Sequence, residues 1–482
     1  MSKLKSLASQ TALYGLGSML PRFLNFLLVP LHTKGMFTTA QYGEITNLLS
    51  VVAVINVVYM FGMETAFFRF SNQTGANPKK IFNLAQTVVV SISVTLSIVL
   101  IAFSTTLGNF YDQPQHSNYI VWLVMIMLID AVVAIPFAQL RQQKKATSFA
   151  LYKILNVLIL IGLNYYFLKI NYDPNINIGY VFLANLIANA FFVLFFLKTL
   201  WQWRPAWDAT LSPQMIRYAY PIMLTGLAGM TNEFFSRATL NHWLPPGFYG
   251  SITNKDALGI FGACYKFAVF MNLGIQAFRY AAEPFFFSNA NDKNSPALFA
   301  RVNHYFVVAG CVVLLGVSLN LELFKHFVGN NFWDGLNIVP ILLLAYLFLG
   351  IYYNISIWFK LTNQTHFGTL ITLAGVVITI ASNYILIPLF GYTGSSWAAL
   401  LCYFSMTALC YWIGQRYYPI PYSVLKDLGY ITFTMVVIYA FYQVRIPNTY
   451  LSSALNVTVT LVGIGVAYML EKDDLKKKDI AN

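Results

Sequence analysis

Charged side chains stand in the middle of long apolar stretches of this 482-residue chain, where ionisable groups are costly and by default functional. Five of them are basic, and the three that are candidates for substrate binding are called the cationic set here: Arg22, Lys266 and Arg279. Guanidinium and ammonium groups bind phosphate, and arginine offers it a fixed fork of donors. The cationic set therefore predicts recognition of an anion rather than the making or breaking of covalent bonds.

Each member of the cationic set also has a purely structural explanation. Arg22 follows Pro21, which tends to kink a helix, so Arg22 either meets phosphate or bonds to carbonyls that the kink frees. Lys266 either lies in a cavity or extends to the membrane surface, although it is well inside its apolar stretch. Arg279 precedes Glu283 by four residues, so these two either pair on one helix face or serve a ligand.

Further charged residues are candidates for ion coupling or for gating between two conformations. Asp130 is alone at mid-span and is either a carrier of H⁺ or Na⁺ or bonded to a nearby Ser, Thr or Asn. Glu64 is expected to point into the helix bundle, Arg69 to be interfacial, and Lys153 to extend to the membrane surface. The coupling and gating candidates are Glu233, Glu64, Asp130, Arg237 and Glu283.

Sequence signals for enzymes are missing. There is no DxD or HExxH motif and no glycine-rich phosphate loop, so no catalytic residue, metal ligand or cofactor is predicted. The longest predicted external connection, "NHWLPPGFYGSITNKD" (241–256), offers one carboxylate and one histidine. A membrane polymerase or glycosyltransferase needs a larger reactive surface than this, so the chain is not expected to be an enzyme.

Composition places these residues in a membrane. The chain is 58% hydrophobic and only 10% charged, with a mean hydropathy of +0.61, whereas soluble proteins carry about 25% charged residues. Its apolar runs are long and unbroken, as in transmembrane helices, rather than short and alternating, as in transmembrane barrels. The predicted fold class is an all-α integral membrane protein.

About fourteen spans are predicted, because each crossing requires about 20 apolar residues. The spans are placed at 8–32, 42–69, 81–108, 118–140, 147–170, 177–200, 213–240, 257–287, 296–320, 335–359, 367–390, 394–415, 422–444 and 451–470. Most Lys and Arg residues then fall on the side that carries both termini, which predicts cytoplasmic termini. The net charge of +13 is explained by these loops facing anionic lipid, so no nucleic-acid partner is predicted.

The chain repeats itself about two hundred residues apart. "YGLGSMLPRFLN" (14–25) aligns without gaps to "TGLAGMTNEFFS" (225–236), and "YMFGMETAFFRFSN" (59–72) corresponds to "QAFRYAAEPFFFSN" (276–289). An even number of spans separates the copies, so both run in the same direction across the membrane. The repeat places Arg22 opposite Glu233.

The repeat predicts two pseudo-symmetric lobes of six helices each, at 1–202 and 203–420. Residues 421–482 would add two further spans and a basic cytoplasmic tail. A substrate between two such lobes would cross by rocking of one lobe against the other.

The stretches "LYGLGSMLPRFLNFLLVPLHTKGMFTTAQYGEI" (13–45) and "GMETAFFRFSN" (62–72) resemble the N-terminus of bacterial oligosaccharide-lipid flippases of the O-antigen type. These belong to the superfamily of multidrug, oligosaccharidyl-lipid and polysaccharide exporters. The resemblance covers roughly residues 1–420. It implies a V-shaped bundle in the bacterial inner membrane, with alternating access and a cavity lined by spans 1, 2, 7 and 8.

The resemblance also implies a substrate, an oligosaccharide on a polyprenyl pyrophosphate, moved for surface polysaccharide such as lipopolysaccharide. Its partners would be that lipid, the membrane and a coupling ion, H⁺ or Na⁺. The alternatives are a cation antiporter for drugs and a lipid II flippase, for which a fourteenth span is more typical. A polysaccharide polymerase is the remaining alternative. Basic residues at mid-depth favour an anionic substrate over a cationic drug.

Overall fold

The computed structural model describes residues 19–73, 75–111, 113–290, 294–362, 364–444 and 449–479. Within these residues, the side chains of Tyr280, Ala281, Glu283, Pro284, Ser288, Thr449, Tyr450 and 473–479 are not described. The regular structure of the described residues is helical, with no strand among them. This confirms the predicted all-α class.

The helices match the predicted spans and are numbered accordingly. They are α1 (19–33), α2 (Thr39–Ser71), α3 (Pro78–Ala102), α4 (Ser117–Gln142), α5 (Ala146–Ile170), α6 (Gly179–Phe195), α7 (Leu211–Trp243), α8 (Asn254–Ser288), α9 (Ser295–Leu319), α10 (Asn330–Leu361), α11 (366–390), α12 (392–417), α13 (Val424–Gln443) and α14 (Thr449–Asp479). Ten described helical stretches are long and apolar enough to cross a membrane, and one of them, His366–Tyr417, contains both α11 and α12. The chain is therefore a multi-pass membrane protein with about fourteen transmembrane helices.

The turn between α11 and α12 is formed by a single residue with non-helical backbone angles, Gly391. Its φ of 59° and ψ of −138° reverse the chain within a stretch that otherwise stays helical from His366 to Tyr417. Only glycine adopts this backbone conformation without strain, and Pro388 has already weakened the helix before it. The boundaries of these two helices therefore agree to within two residues with the predicted spans 367–390 and 394–415.

Polar side chains cap the first turns of several helices. Thr38 forms a capping box with Gln41 at the start of α2, each side chain bonding to the other residue's backbone N–H. Asp208 accepts from the backbone N–H groups of Thr210 and Leu211 before α7 and forms an ion pair with Lys80. The hydrogen bond from Lys80, with those from the backbone, lowers the pKa of Asp208 to about 2. These bonds set where the two helices start.

The chain divides into two compact units. The first contains the chain up to His242 together with Tyr249–Gly259, and the second contains Trp243–Phe248 and everything from Ile260 onward. In the first unit, α4 packs against α2, α3 and α6 around buried aromatic side chains such as Tyr59, Phe67 and Phe182. The start of α8 thus belongs to a different unit from the rest of that helix.

The second unit is built around α10, which is buried along most of its length between α9 and the α11–α12 pair. Helices α13 and α14 pack against α9, on the outside of this unit. The lobes at 1–202 and 203–420 and their pseudo-symmetry stay predictions. Gly15 of the aligned repeat lies outside the described residues.

Candidate functional site

The cationic set is spread over both units. Arg22 is in the first unit, on α1, and its side chain is exposed beside the exposed ring of Phe23. Lys266 and Arg279 lie on the part of α8 that belongs to the second unit. Arg279 comes thirteen residues after Lys266, which places the two about 20 Å apart along the helix axis. Within the second unit these two cations therefore do not form a single site.

The two cations of α8 differ in their surroundings. Lys266 is half-buried between the buried side chains of Tyr265 and Phe267. Arg279 stacks on Tyr353 of α10, with the guanidinium carbon 4.0 Å from the ring centroid. The predicted partner of Arg279, Glu283, has its side chain outside the described part of the chain, so an ion pair between them stays a prediction.

Asp130 is the centre of a polar network between α4, α5 and α6. Asn189 of α6 donates to its carboxylate over 3.0 Å, and Asn156 of α5 donates to the side-chain oxygen of Asn189 over 3.2 Å. The structural alternative for Asp130, a bond to a nearby Asn, is therefore present, and its role as an ion carrier stays a prediction. Lys153 also interacts electrostatically with Asp130, and its amine lies 4.3 Å from the centroid of the Phe137 ring. The expectation that Lys153 extends to the membrane surface is therefore wrong.

Glu64 and Arg141 form an ion pair between α2 and the end of α4. Both side chains are about one-third exposed, so Glu64 does not point into the closed interior of the bundle as expected. Arg141 also stacks on Phe68, with its guanidinium carbon 5.0 Å from the ring centroid. The pair neutralises one of the candidate coupling carboxylates.

Glu233 and Arg237 are neighbours on α7, as their spacing predicts. Arg237 is buried, donates to the backbone oxygen of Glu233 over 3.0 Å, and stacks on the ring of Phe234. The approach of Arg22 to Glu233 stays a prediction.

A close helix crossing joins the start of α8 to the start of α2 within the first unit. The backbones approach so closely that a Cβ atom on Gly259 would lie 1.9 Å from the carbonyl oxygen of Thr39. A Cβ atom on Gly43 would lie 2.1 Å from the carbonyl oxygen of Lys255. Lys255 pairs with Glu44 over 2.9 Å beside this crossing. This contact was not predicted from the sequence, in which its only signal is a glycine in each of two apolar spans.

A buried ionic cluster attaches α13 and α14 to α9. His304 of α9 contacts Asp427 of α13 through Nδ1 over 2.5 Å and Glu471 of α14 through Nε2 over 3.1 Å. Lys426 and Tyr430 of α13 also contact Glu471, at 2.9 Å and 2.6 Å. This His304 cluster was not predicted from the sequence either, although a histidine within an apolar span was a signal for it.

The surface between α9, α13 and α14, called the C-terminal seam here, contains an apolar groove of about 360 Å³. Its walls include Val312 of α9, Phe433 and Val437 of α13, and Val462 and Val466 of α14. Such walls suit a hydrocarbon chain, because nothing in them except the hydroxyls of Tyr430, Thr434 and Thr458 and the Cys311 thiol forms hydrogen bonds.

Known structures share this fold. A structure of the lipid II flippase MurJ in an inward closed conformation has a TM-score of 0.74 at 12% identity, over 96% of this chain and 100% of that chain. An inward-facing multidrug resistance MATE family transporter of the MOP superfamily has a TM-score of 0.64 at 11% identity, over 88% and 96%. A mutant of the Vibrio cholerae MATE transporter VcmN has a TM-score of 0.55 at 14% identity, over 86% and 96%. At these identities the likeness establishes the fold alone.

Comparison of sequences identifies the family of the chain in addition to its fold. No curated protein matches the chain. The profile of a family described as "Polysaccharide biosynthesis protein" matches residues 36–301, more than half of the chain. The matched range runs from the start of α2 to the first turns of α9 and so includes Lys266, Arg279 and every coupling candidate. The chain has the fold of MurJ and the MATE transporters, and it belongs to the polysaccharide biosynthesis protein family.

Proposed function

We propose that the protein flips a polyprenyl-pyrophosphate-linked oligosaccharide across the bacterial cytoplasmic membrane by alternating access, for surface polysaccharide biosynthesis, and that it is a transporter rather than an enzyme. The observation that carries the proposal is the exposed guanidinium of Arg22, within a predicted span of a polysaccharide biosynthesis family member. A mid-span arginine that remains accessible suits a pyrophosphate.

The surroundings of the carboxylates favour an anionic lipid over a cationic drug. Glu64 is paired with Arg141, and Asp130 accepts from Asn189. Neither is a bare negative charge of the kind that would attract a drug cation. The apolar groove of the C-terminal seam offers a surface for the hydrocarbon part of the substrate. The proposal places both termini in the cytoplasm, where the basic loops face anionic lipid.

Removing either candidate phosphate ligand should strongly reduce export without preventing membrane insertion. A charge-assisted hydrogen bond contributes about 1.5–3 kcal/mol, so Arg22→Ala or Lys266→Ala should lower glycan export by about 10- to 100-fold. Arg22→Lys should retain part of the activity, because the charge remains while the fork of donors is lost. Export is measured as surface polysaccharide, and the lipid-linked precursor is measured by mass spectrometry of extracted lipid.

The matched control is Arg69→Ala. Arg69 is an exposed arginine at the end of α2, and its guanidinium stacks on the ring of Tyr218 of α7. Export should be unchanged in this variant. Full export in both Arg22→Ala and Lys266→Ala would refute the cationic recognition of substrate. Native mass spectrometry of the purified protein should recover a polyprenyl-linked glycan, and recovery of an amphipathic cation instead would establish the drug-exporter alternative.

We also propose that Asp130 is the site of coupling to H⁺ or Na⁺. The Asp130→Asn variant keeps the size of the side chain and removes its charge and its exchangeable proton. Export should then lose its response to ionophores that collapse the proton or sodium gradient. Asp173→Asn, in the connection between α5 and α6, is the control and should keep the wild-type response. A full ionophore response in Asp130→Asn would exclude Asp130 as the coupling site.

A further inference from the structure

A polar cavity of about 370 Å³ lies at one end of the C-terminal seam. It is formed where α9 and α13 end and α14 begins, together with the short helix Leu321–Phe324. Lys426 and Lys472 lie at the other ends of α13 and α14. The cavity therefore opens at the membrane face opposite these lysines, which is the outer face under the orientation proposed above.

One buried group in this cavity lacks a partner. Ser318 is 2% exposed and lines the cavity, and its hydroxyl makes no hydrogen bond within the described part of the chain. A helical serine or threonine commonly bonds to the carbonyl four residues earlier, as Thr407 does with Tyr403. A buried hydroxyl left unsatisfied costs about 1–3 kcal/mol. A bound molecule with hydroxyl groups would remove that cost.

The remaining lining of the cavity combines polar groups with four aliphatic side chains. Glu322 lines the cavity and is paired with Lys325, which lies outside the lining. The paired carboxylate can accept hydrogen bonds, its charge is balanced against a cation, and the lining presents no basic side chain to a phosphate. Further hydroxyl and amide groups come from Ser452, Asn456 and Tyr442.

Two aromatic residues complete the site. Phe441 and Tyr442 line the same cavity, which gives it apolar faces beside its polar groups. A sugar ring has the matching character, with hydroxyl groups at its edge and C–H groups on its faces. The volume lies within the range of about 300–1,000 Å³ that is usual for small-molecule sites.

We propose that this polar cavity binds a neutral sugar unit. The inference rests on the proposed function for its orientation and for the source of the sugar. That source is either the translocated glycan or the sugar headgroup of a membrane glycolipid. Ser318 would donate to or accept from a sugar hydroxyl, the Glu322 carboxylate would accept from further hydroxyls, and Tyr442 would contact the ring.

Binding is tested with full-length protein in a detergent that has no sugar headgroup, because a maltoside would compete for the site. The probe is the soluble glycan that mild acid releases from the lipid-linked pool of the producing cells. Saturation-transfer NMR should show transfer from the protein to the sugar protons. Ser318→Val and Ser452→Trp should each weaken binding by tenfold or more, the first by removing the hydroxyl and the second by filling the cavity.

Ser453→Trp is the matched control, because Ser453 neighbours Ser452 on α14 but does not line the cavity. It should bind the glycan as the wild type does. Ser318→Val should melt at the same temperature or higher, since it removes a hydroxyl that is unsatisfied without ligand. Absence of transfer in the wild type, or equal transfer in the wild type and both cavity variants, would overturn the proposal.

Two further arms identify the source and separate this inference from the proposed function. Tighter binding of the released glycan than of the soluble headgroup sugar of the cell's glycolipids identifies the translocated glycan as the source, and the reverse order identifies a glycolipid headgroup. Loss of binding in Ser318→Val is measured on purified protein and needs no export. If the lipid-linked glycan is not exported by the wild type while the NMR signal persists, the flippase proposal fails and the sugar site stands.

Discussion

Gly259→Ala should destabilise the protein, although replacing a helical glycine by alanine usually stabilises a helix by up to about 1 kcal/mol. The added Cβ atom would lie 1.9 Å from the carbonyl oxygen of Thr39, which is part of the α2 backbone and has no rotamer to change. The helices must therefore move apart at this crossing. Overpacking of this kind costs about 1–3 kcal/mol.

The loss of stability in Gly259→Ala should be visible both in the whole protein and at the crossing of α2 and α8. The melting temperature of the purified protein should fall by a few degrees. A disulfide between Thr39→Cys and Asp256→Cys, whose native side chains contact each other, should form readily in the parent protein and poorly with Gly259→Ala. If α2 and α8 must separate here during transport, export should change as well.

Gly274→Ala is the matched control on the same helix, because a Cβ atom there meets no heavy atom within 4 Å. It should leave the melting temperature unchanged or raise it slightly. Equal melting temperatures and equal cross-linking for the two alanine variants would show that the crossing of α2 and α8 is looser than its geometry indicates.

The second large effect is expected from His304→Ala. The substitution leaves the carboxylates of Asp427 and Glu471, whose side chains are 10% and 4% exposed, without the imidazole that lies between them. Removing one partner from a buried ionic group costs about 3–5 kcal/mol. Asn303 still reaches Asp427, and Lys426 still reaches Glu471, so we expect a cost near the lower limit of this range.

The effect should be concentrated on α13 and α14, since the cluster attaches them to α9. Hydrogen exchange in these two helices should rise, while exchange in α4 of the first unit should not change. His326→Ala, at an exposed histidine in an edge-to-face contact with Trp333, is the control and should leave exchange in α13 and α14 as it is.

Replacing His304, Asp427 and Glu471 together by leucine tests the electrostatic explanation. An apolar substitute for a complete buried ionic cluster is often neutral or stabilising, so the triple variant should recover most of the stability that His304→Ala loses. Unchanged exchange in His304→Ala would contradict an anchoring role for the cluster.

The sequence alone determined the class of the protein and the approximate positions of its transmembrane helices. A helix that crosses a bilayer needs about 20 apolar residues whichever helices become its neighbours, so span positions are a local property. The turn at Gly391 was readable for the same reason, because it lies between two apolar runs and follows Pro388. The placing of Arg237 one turn after Glu233 was also readable, because residues four apart lie on one face of a helix, and the Arg237 guanidinium donates to the backbone oxygen of Glu233.

The sequence also showed which charged residues needed partners, but it did not show which partners they have. A mid-span carboxylate predicts an amide or hydroxyl nearby, and only the structure shows that Asn189, 59 residues later, supplies it. Glu64 was expected inside the bundle and instead meets Arg141 at the partly exposed end of α4. Helical periodicity defines the face on which a residue lies, and it contains no information on the helix that packs against that face.

The crossing of Gly43 and Gly259 and the His304 cluster were decided by tertiary structure alone. In the sequence these glycines are two among 29, and nothing distinguishes them until α2 and α8 approach each other. His304, Asp427 and Glu471 come from three helices and meet only because α13 and α14 pack against α9 in one register. Contacts between residues this far apart in the chain depend on how whole helices pack, which is settled by the sum of many side-chain contacts rather than by any local pattern.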